Sequence, residues 1–271
     1  NNFNYIYNQV PKKIAFPNSK NENWRYFNLQ KLKIKLDQTK SAENNFSICH
    51  TSKIKAHLKI DNKSIYLNEQ FPEGISIDIV SPKGFKALNS NIKKNIGKIA
   101  KIDNDYFVSE NTEKFSQLIL IKVKENHVVN SDLKLDISVS KKIELNPRFF
   151  IYTGKKSSSS IQINWNNSSC NINSVFESYL DKQSNMNLTI INNGEDSVNI
   201  ASYAFHIQRK SNLKTTFISL GKQILKNDIR INLLDEKAKA DIGGLYIANP
   251  HSITDYNIRM NHLSKKTLSK Q

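Results

Sequence analysis

The chain has 271 residues, of which 38% are hydrophobic and 24% charged, a balance that suits one or two folded domains and excludes wholesale disorder. Lys and Arg number 40 against 24 Asp and Glu, a formal charge of +16. The basic residues are scattered and accompanied by abundant Asn and Ile, so they read as the codon bias of an AT-rich genome; specific nucleic-acid binding and an anionic-membrane surface are not expected from charge alone.

Taken in chain order, Asn1–Gln9 is polar and lacks the apolar core of a signal peptide. Pro17, Asn18 and Ser19 signal a turn or a short helix start. Between Asn23 and Leu36 the apolar residues Trp24, Phe27, Leu29, Leu32, Ile34 and Leu36 begin at loosely helical spacing. From Leu32 they alternate strictly, which predicts a strand. Short alternating runs follow at Ile54, Ala56, Leu58 and Ile60, then at Ile75, Ile77 and Ile79, with turns at 72–74 and 82–84. Phe85, Leu88, Ile92, Ile96 and Ile99 fall at steps of three and four and predict a helix over 83–100.

Beyond about residue 115 the pattern is uniformly that of strands. Leu118–Val123 reads as a buried strand, and Leu133 to Val139, Ile161 to Trp165, Leu188 to Ile190, Ile229 to Leu233 and Tyr256 to His262 alternate. The longest apolar runs, such as Leu118–Ile121, stop far short of the ~18 residues of a membrane helix. This is an all-β region, and the period alone leaves sandwich and solenoid open. Asn193-Gly194 is the sole Asn-Gly hairpin dipeptide, and Asn-rich corners can take the left-handed conformation in its place.

Two stretches carry a resemblance. Asn18-Ser19-Lys20-Asn21-Glu22-Asn23-Trp24-Arg25-Tyr26 is similar to an entry motif of the form Pro-x-x-Lys-x-Glu-x-Trp-Lys/Arg-Tyr-Thr, with Phe27 in place of Thr and Pro17 near the usual Pro. In the tail, Gly243-Gly244-Leu245-Tyr246 resembles a glycine-bearing turn, and His262 with Ser269-Lys270-Gln271 resembles a His-x(6)-Ser-x-Gln step. Both belong, in this order, to the SufB/SufD family of the SUF iron–sulfur cluster assembly machine, and the chain looks most like its SufD-type members.

That resemblance implies a right-handed β-helix core over 115–271, preceded by a small mixed α/β region over 1–114. It implies a non-catalytic, cytoplasmic or plastid-stromal scaffold subunit. Its partners would be a SufB-like paralogue and a SufC-like ABC ATPase, with an iron–sulfur cluster present only transiently in the full complex. The family's Cys-x-His-Gly-Ala segment, with its cluster-associated His, and the docking helices for the ATPase would lie beyond Gln271. On this reading the chain is C-terminally truncated relative to the family. No catalytic, cofactor-binding or metal-binding residue is therefore carried over, and no stable cofactor or ATPase docking is expected of these 271 residues.

Individual residues fit that expectation. Cys49 and Cys170 are too few for a disulfide framework or a four-thiolate site, and they suit a reducing compartment. Cys170 reads as an ordinary thiol at a polar corner. His50 adjoins Cys49, but neighbours on an extended chain point to opposite faces. His206 and His262 share strand parity with apolar residues and read as hydrogen-bonded core positions. Glu195-Asp196 and Asp235-Glu236 read as solvated turns, not as the acid and base of a glycosidase. Trp24-Arg25-Tyr26 reads as an anchor for the N-terminal segment in preference to a base- or flavin-stacking site. Ser157–Ser160 reads as a flexible corner. The alternative function is a β-solenoid that binds or cleaves an acidic polysaccharide.

Overall fold

Strict in/out alternation lets a strand bury one face, and a chain that keeps winding can bury all of those faces against each other. The computed structural model, which describes residues 14–41, 46–68, 70–100, 105–247 and 249–271, shows that arrangement. The polar stretch Asn1–Gln9 lies outside the described residues. The protein is mainly β, a solenoid of about six turns with a few helices near the N-terminus.

The N-terminal segment supplies a 3-10 turn at Glu22–Trp24 and helix α1 (Leu29–Leu36), then short strands β1 (Lys40–Ser41), β2 (Ser47–His50), β3 (Leu58–Ile60), β4 (Ser64–Leu67) and β5 (Ile75–Val80). Helices α2 (Pro82–Phe85), α3 (Ser90–Lys93) and α4 (Tyr106–Lys114) come next. The coils begin with β6 (Leu118–Val123), β7 (Val128–Val139), β8 (Ile143–Leu145), β9 (Arg148–Thr153), β10 (Ser158–Ser168) and β11 (Asn171–Leu180). The long β12 (Asn185–Ile207) and β13 (Asn212–Leu233) each bend across two faces, and β14 (Lys239–Tyr246), β15 (Ile253–His262) and β16 (Leu268–Lys270) complete the stack.

Successive coils pair in parallel. On one face Ser158 lies beside Asn185, Asn185 beside Asn212 and Asn212 beside Lys239, a repeat of 27 residues. On the other face Leu118, Arg148, Val175, Ser202 and Asp228 follow one another in register. Equivalent side chains therefore stack at the strand spacing of about 4.8 Å. Phe149, Phe176 and Tyr203 form one such column, with ring centroids 4.3 and 4.8 Å apart. At the start of the stack β3 pairs in parallel with β7, and β5 pairs antiparallel with β6. These strands cover what would otherwise be an open sheet edge.

Three local expectations are corrected. Leu32, Ile34 and Leu36 belong to helix α1, capped by the Asn28 side chain, which accepts from Lys31 N at 2.9 Å. Leu29, Leu32 and Leu36 make the apolar stripe while Ile34 stays 54% exposed, so the alternation came from a helix of Leu and Lys, both strong helix formers. The helix over 83–100 is broken into α2 and α3. Asn89 caps a new start and Gly97 takes φ 77°, yet Phe85, Ile92, Ile96 and Ile99 still bury together. The serine run is not a flexible corner: Ser158–Ser160 open β10, and Ser157 and Ser159 are buried. Ser157, Ser184, Ser211 and Ala238 recur at 27 residues, and the first two hydroxyls each donate to the carbonyl three residues back, at 2.6 Å.

Candidate functional site at the seam between the N-terminal segment and the coils

The N-terminal segment lies along one edge of the coils, and its contacts concentrate on Trp24. The indole packs against Phe27 and Phe107 at centroid distances of 5.2 and 5.3 Å. Lys226 Nζ sits 4.5 Å from its centroid and 5.4 Å from that of Phe27, with a side chain only 3% exposed. The same ammonium donates to the Asn23 carbonyl at 2.9 Å and to the Asp255 carboxylate. A buried cation over an aromatic face, with its remaining protons on a carbonyl and a carboxylate, is satisfied in both charge and hydrogen bonds. Arg25 and Tyr26 do not share this role. Tyr26 is 87% exposed, and Arg25 lies over its ring at 5.3 Å. Helix α1 adds two ties, Lys31 Nζ to the His251 carbonyl at 2.6 Å and Lys35 Nζ to Asp196 at 2.7 Å.

A second junction is wholly buried. Arg148 and Glu177, both 0% exposed, pair at 2.9 Å on the outer side of β9 and β11. The Glu177 carboxylate also accepts the backbone N–H groups of Gly97, Ile99 and Ala100 at 2.9–3.0 Å. Arg148 donates to Thr112 at 2.9 Å and to Asn111 at 3.2 Å on α4. Asn111 in turn reaches the Pro147 and Asn173 carbonyls, and Asn173 reaches the Phe107 carbonyl. One ion pair thus fixes a loop and a helix onto the coils.

Helix α4 starts at Asp105, whose carboxylate accepts from Phe107 N and Val108 N at 2.9 and 3.2 Å. Enclosure and the nearby Asp228 charge push its pKa up, against the two N–H bonds and Arg230. A carboxyl whose folded pKa lies above its unfolded value binds its proton more tightly when folded. Stability is then lost as pH rises from the unfolded pKa through the folded one. Asn caps a helix as well as Asp does. Asp105→Asn is therefore expected to raise the urea midpoint at pH 7, with the gain vanishing below about pH 4; a lower midpoint at pH 7 would show that the charge itself stabilises the cap.

Between α1, α4 and β11 lies a cavity of about 370 Å³, bordered by Lys33, Asp37, Tyr106, Glu110, Glu144 and Asn171. Lys114 bridges Glu110 and Glu144 at 2.9 and 2.7 Å. Burial opposes its charge, but the bonds to Glu144 and Glu110 outweigh that and raise its pKa. The lining is mixed, with Phe16, Leu36, Phe107, Ile172 and Ile200 beside these polar groups, and Glu110 and Glu144 are paired through Lys114.

The residues singled out in the sequence do not converge. Cys170 sits at the corner between β10 and β11 with its side chain buried in the inner core. Burial pushes its thiol up to about 12, and its Sγ lies 3.7 Å from the Val139 carbonyl, so it is a poor nucleophile. Cys49 is half-buried on β2, next to the exposed His50. His206 is half-buried on β12. His262 is hydrogen-bonded as expected but exposed and not a core position: it holds Thr267 and Ser269 hydroxyls at 2.7 and 2.9 Å, which occupies both ring nitrogens. Asp196 pairs with Lys35, and Glu236 lies within 4 Å of Arg209 and Lys265, with the Lys265 contact holding its carboxyl below the usual range. Glu195 and Asp235 stand at the same corners. Sequence reading missed Arg148, Glu177 and Lys226, which only coil stacking brings to their partners. Among the described residues no group of three or more His, Cys, Asp or Glu is placed to hold a metal, and no helix is long and apolar enough to cross a membrane.

These features define a parallel β-solenoid with a helical segment locked along its edge. Residues 137–271 match the family model described as SUF system FeS cluster assembly, SufBD core domain. The match runs from within β7 to Gln271 and ties the protein to SUF iron–sulfur cluster assembly. No curated protein matches the chain.

Proposed function

We propose that the protein is a SufD-type scaffold subunit of the SUF system, working with a SufB-like paralogue and a SufC-like ABC ATPase in the cytoplasm or a plastid stroma. The observation that carries this reading is the agreement of two independent stretches: the SufBD core match over 137–271, and the Trp24 motif, whose indole is the clamp on Lys226 within that core. The subunit contributes surface and rigidity. The cluster is cargo of the complex, and ATP hydrolysis belongs to the partner. An outward apolar column on β12, β13 and β14, made by Ile191, Ile218 and Leu245, suits a contact with another protein. The polysaccharide reading gains no support, because its carboxylate pairs stand at separate corners, with Asp196 and Glu236 held by cations.

The test is to express the natural gene together with tagged SufB-like and SufC-like proteins from the same organism. Stoichiometric co-purification is expected, and Leu245→Asp with Ile218→Asp is expected to weaken it. Recovery of the SufB-like and SufC-like proteins as a complete complex without this protein would overturn the assignment.

A further inference from the structure

The edge of the solenoid opposite the N-terminal segment carries a feature that local structure disfavours. At successive corners the chain turns through a residue with positive φ, Asn126 at 56° and then Lys156 at 54°, Gln183 at 62°, Lys210 at 57°, Lys237 at 59° and Lys266 at 57°. The left-handed region favours Gly, Asn and Asp, and this chain is rich in Asn. The other edge follows that preference more closely, with Ser169, Asp196, Gly221 and His251 at its positive-φ positions. Glu125 precedes Asn126, and the residues before the other five add Lys155, Lys182, Arg209, Glu236 and Lys265.

Backbone bonds between coils stack the corners directly. Lys156 N donates to the Lys182 carbonyl, Gln183 N to that of Arg209 and Lys210 N to that of Glu236, at 2.9–3.0 Å. Like charges therefore repeat at the coil spacing, which is unfavourable for folding. Of the twelve positions eight are cationic, and the two acids are Glu125 at the first corner and Glu236, which lies between Arg209 and Lys265. The chain tolerates both backbone strain and charge repulsion here, and such a conflict points to a use outside the fold.

We propose that this basic ridge is a docking surface for a partner protein that presents a row of Asp and Glu carboxylates. Seven of the eight cations are Lys, compact point charges, whereas phosphate recognition favours the forked guanidinium of Arg. No aromatic residue interleaves the ridge, as a single-stranded nucleic-acid track requires, and no apolar side chain stands on it to enter a membrane. The ridge is distinct from the apolar column on the sheet face and does not depend on it.

The test uses fluorescent poly-L-glutamate as the probe, with oligodeoxythymidine and phosphatidylserine vesicles as competing polyanions. The wild-type chain is expected to bind poly-L-glutamate most tightly, with affinity falling as salt rises. The quadruple change Lys156→Asn, Lys210→Asn, Lys237→Asn and Lys266→Asn is expected to weaken binding about tenfold or more while moving the urea midpoint upward. A control removes the same charge elsewhere by Lys53→Asn, Lys55→Asn, Lys94→Asn and Lys98→Asn, and is expected to change binding about twofold at most. Equal weakening by both quadruple variants would reduce the effect to net charge and overturn the proposal. So would tighter binding to the oligonucleotide or the vesicles, or unchanged binding by the ridge variant.

Discussion

Arg148→Met is expected to destabilise the protein by about 3–5 kcal/mol, the cost of leaving one member of a buried ion pair without its partner. Glu177 would keep the N–H groups of Gly97, Ile99 and Ala100 but lose its counter-charge in a site with no solvent exposure. Glu177→Leu is expected to be worse than Arg148→Met, since it orphans three backbone donors as well as the guanidinium. Urea unfolding measures the totals, and amide exchange at Gly97, Ile99 and Ala100 reports the loop. An Arg148→Met protein within about 1 kcal/mol of wild type would mean that the pair is dispensable.

The strands were legible because solenoid interiors are apolar and strands alternate. Leu133 to Val139, Ile161 to Trp165 and Ile229 to Leu233 all lie on strands with alternate residues buried. The choice of a solenoid over a sandwich was not legible in that period, which is the same for both. A usable signal was present in the corners: Ser157, Ser184, Ser211 and Ala238, and beside them Lys156, Gln183, Lys210 and Lys237, recur every 27 residues. Helix α4 escaped because its buried face includes the polar residues Ser109, Asn111 and Thr112, of which the last two serve the Arg148 network. Local hydrophobic periodicity cannot register a face that is buried through hydrogen bonds.

The seam was less legible than the fold. Arg148 lies beside Val175 in the parallel register, so Glu177 comes within reach two residues further along the next strand. Nothing in either residue's own neighbourhood reveals that partner. Trp24 was visible as an anchor from its motif, but Lys226, 202 positions away, was not. The motif was also read as one unit, whereas the structure separates Trp24, which packs, from Arg25 and Tyr26, which face solvent.

That separation gives the second large effect. Trp24→Ala is expected to cost about 2–3 kcal/mol, below the ~3–5 of a fully buried aromatic because the indole is only half-buried. The loss combines contacts to Phe27 and Phe107 with the cation–π contact to Lys226. It should be local. The cluster that Trp24 joins holds Leu32 and Phe107 against Val198, Ile200 and Ile224, and is separate from the inner core of the coils. Amide protection is therefore expected to fall across α1 while the strands β10 to β13 keep theirs, since regions with few buried contacts open first. Tyr26→Ala, at a ring 87% exposed, should stay within about 0.5 kcal/mol of wild type. Trp24→Phe should recover most of the packing but less of the cation–π attraction, which is strongest for indole. Equal costs for the Trp24 and Tyr26 truncations, or unchanged exchange across α1 in Trp24→Ala, would show that the segment is held by the Lys31 and Lys35 ties instead, and that the Lys226 clamp is incidental to its attachment.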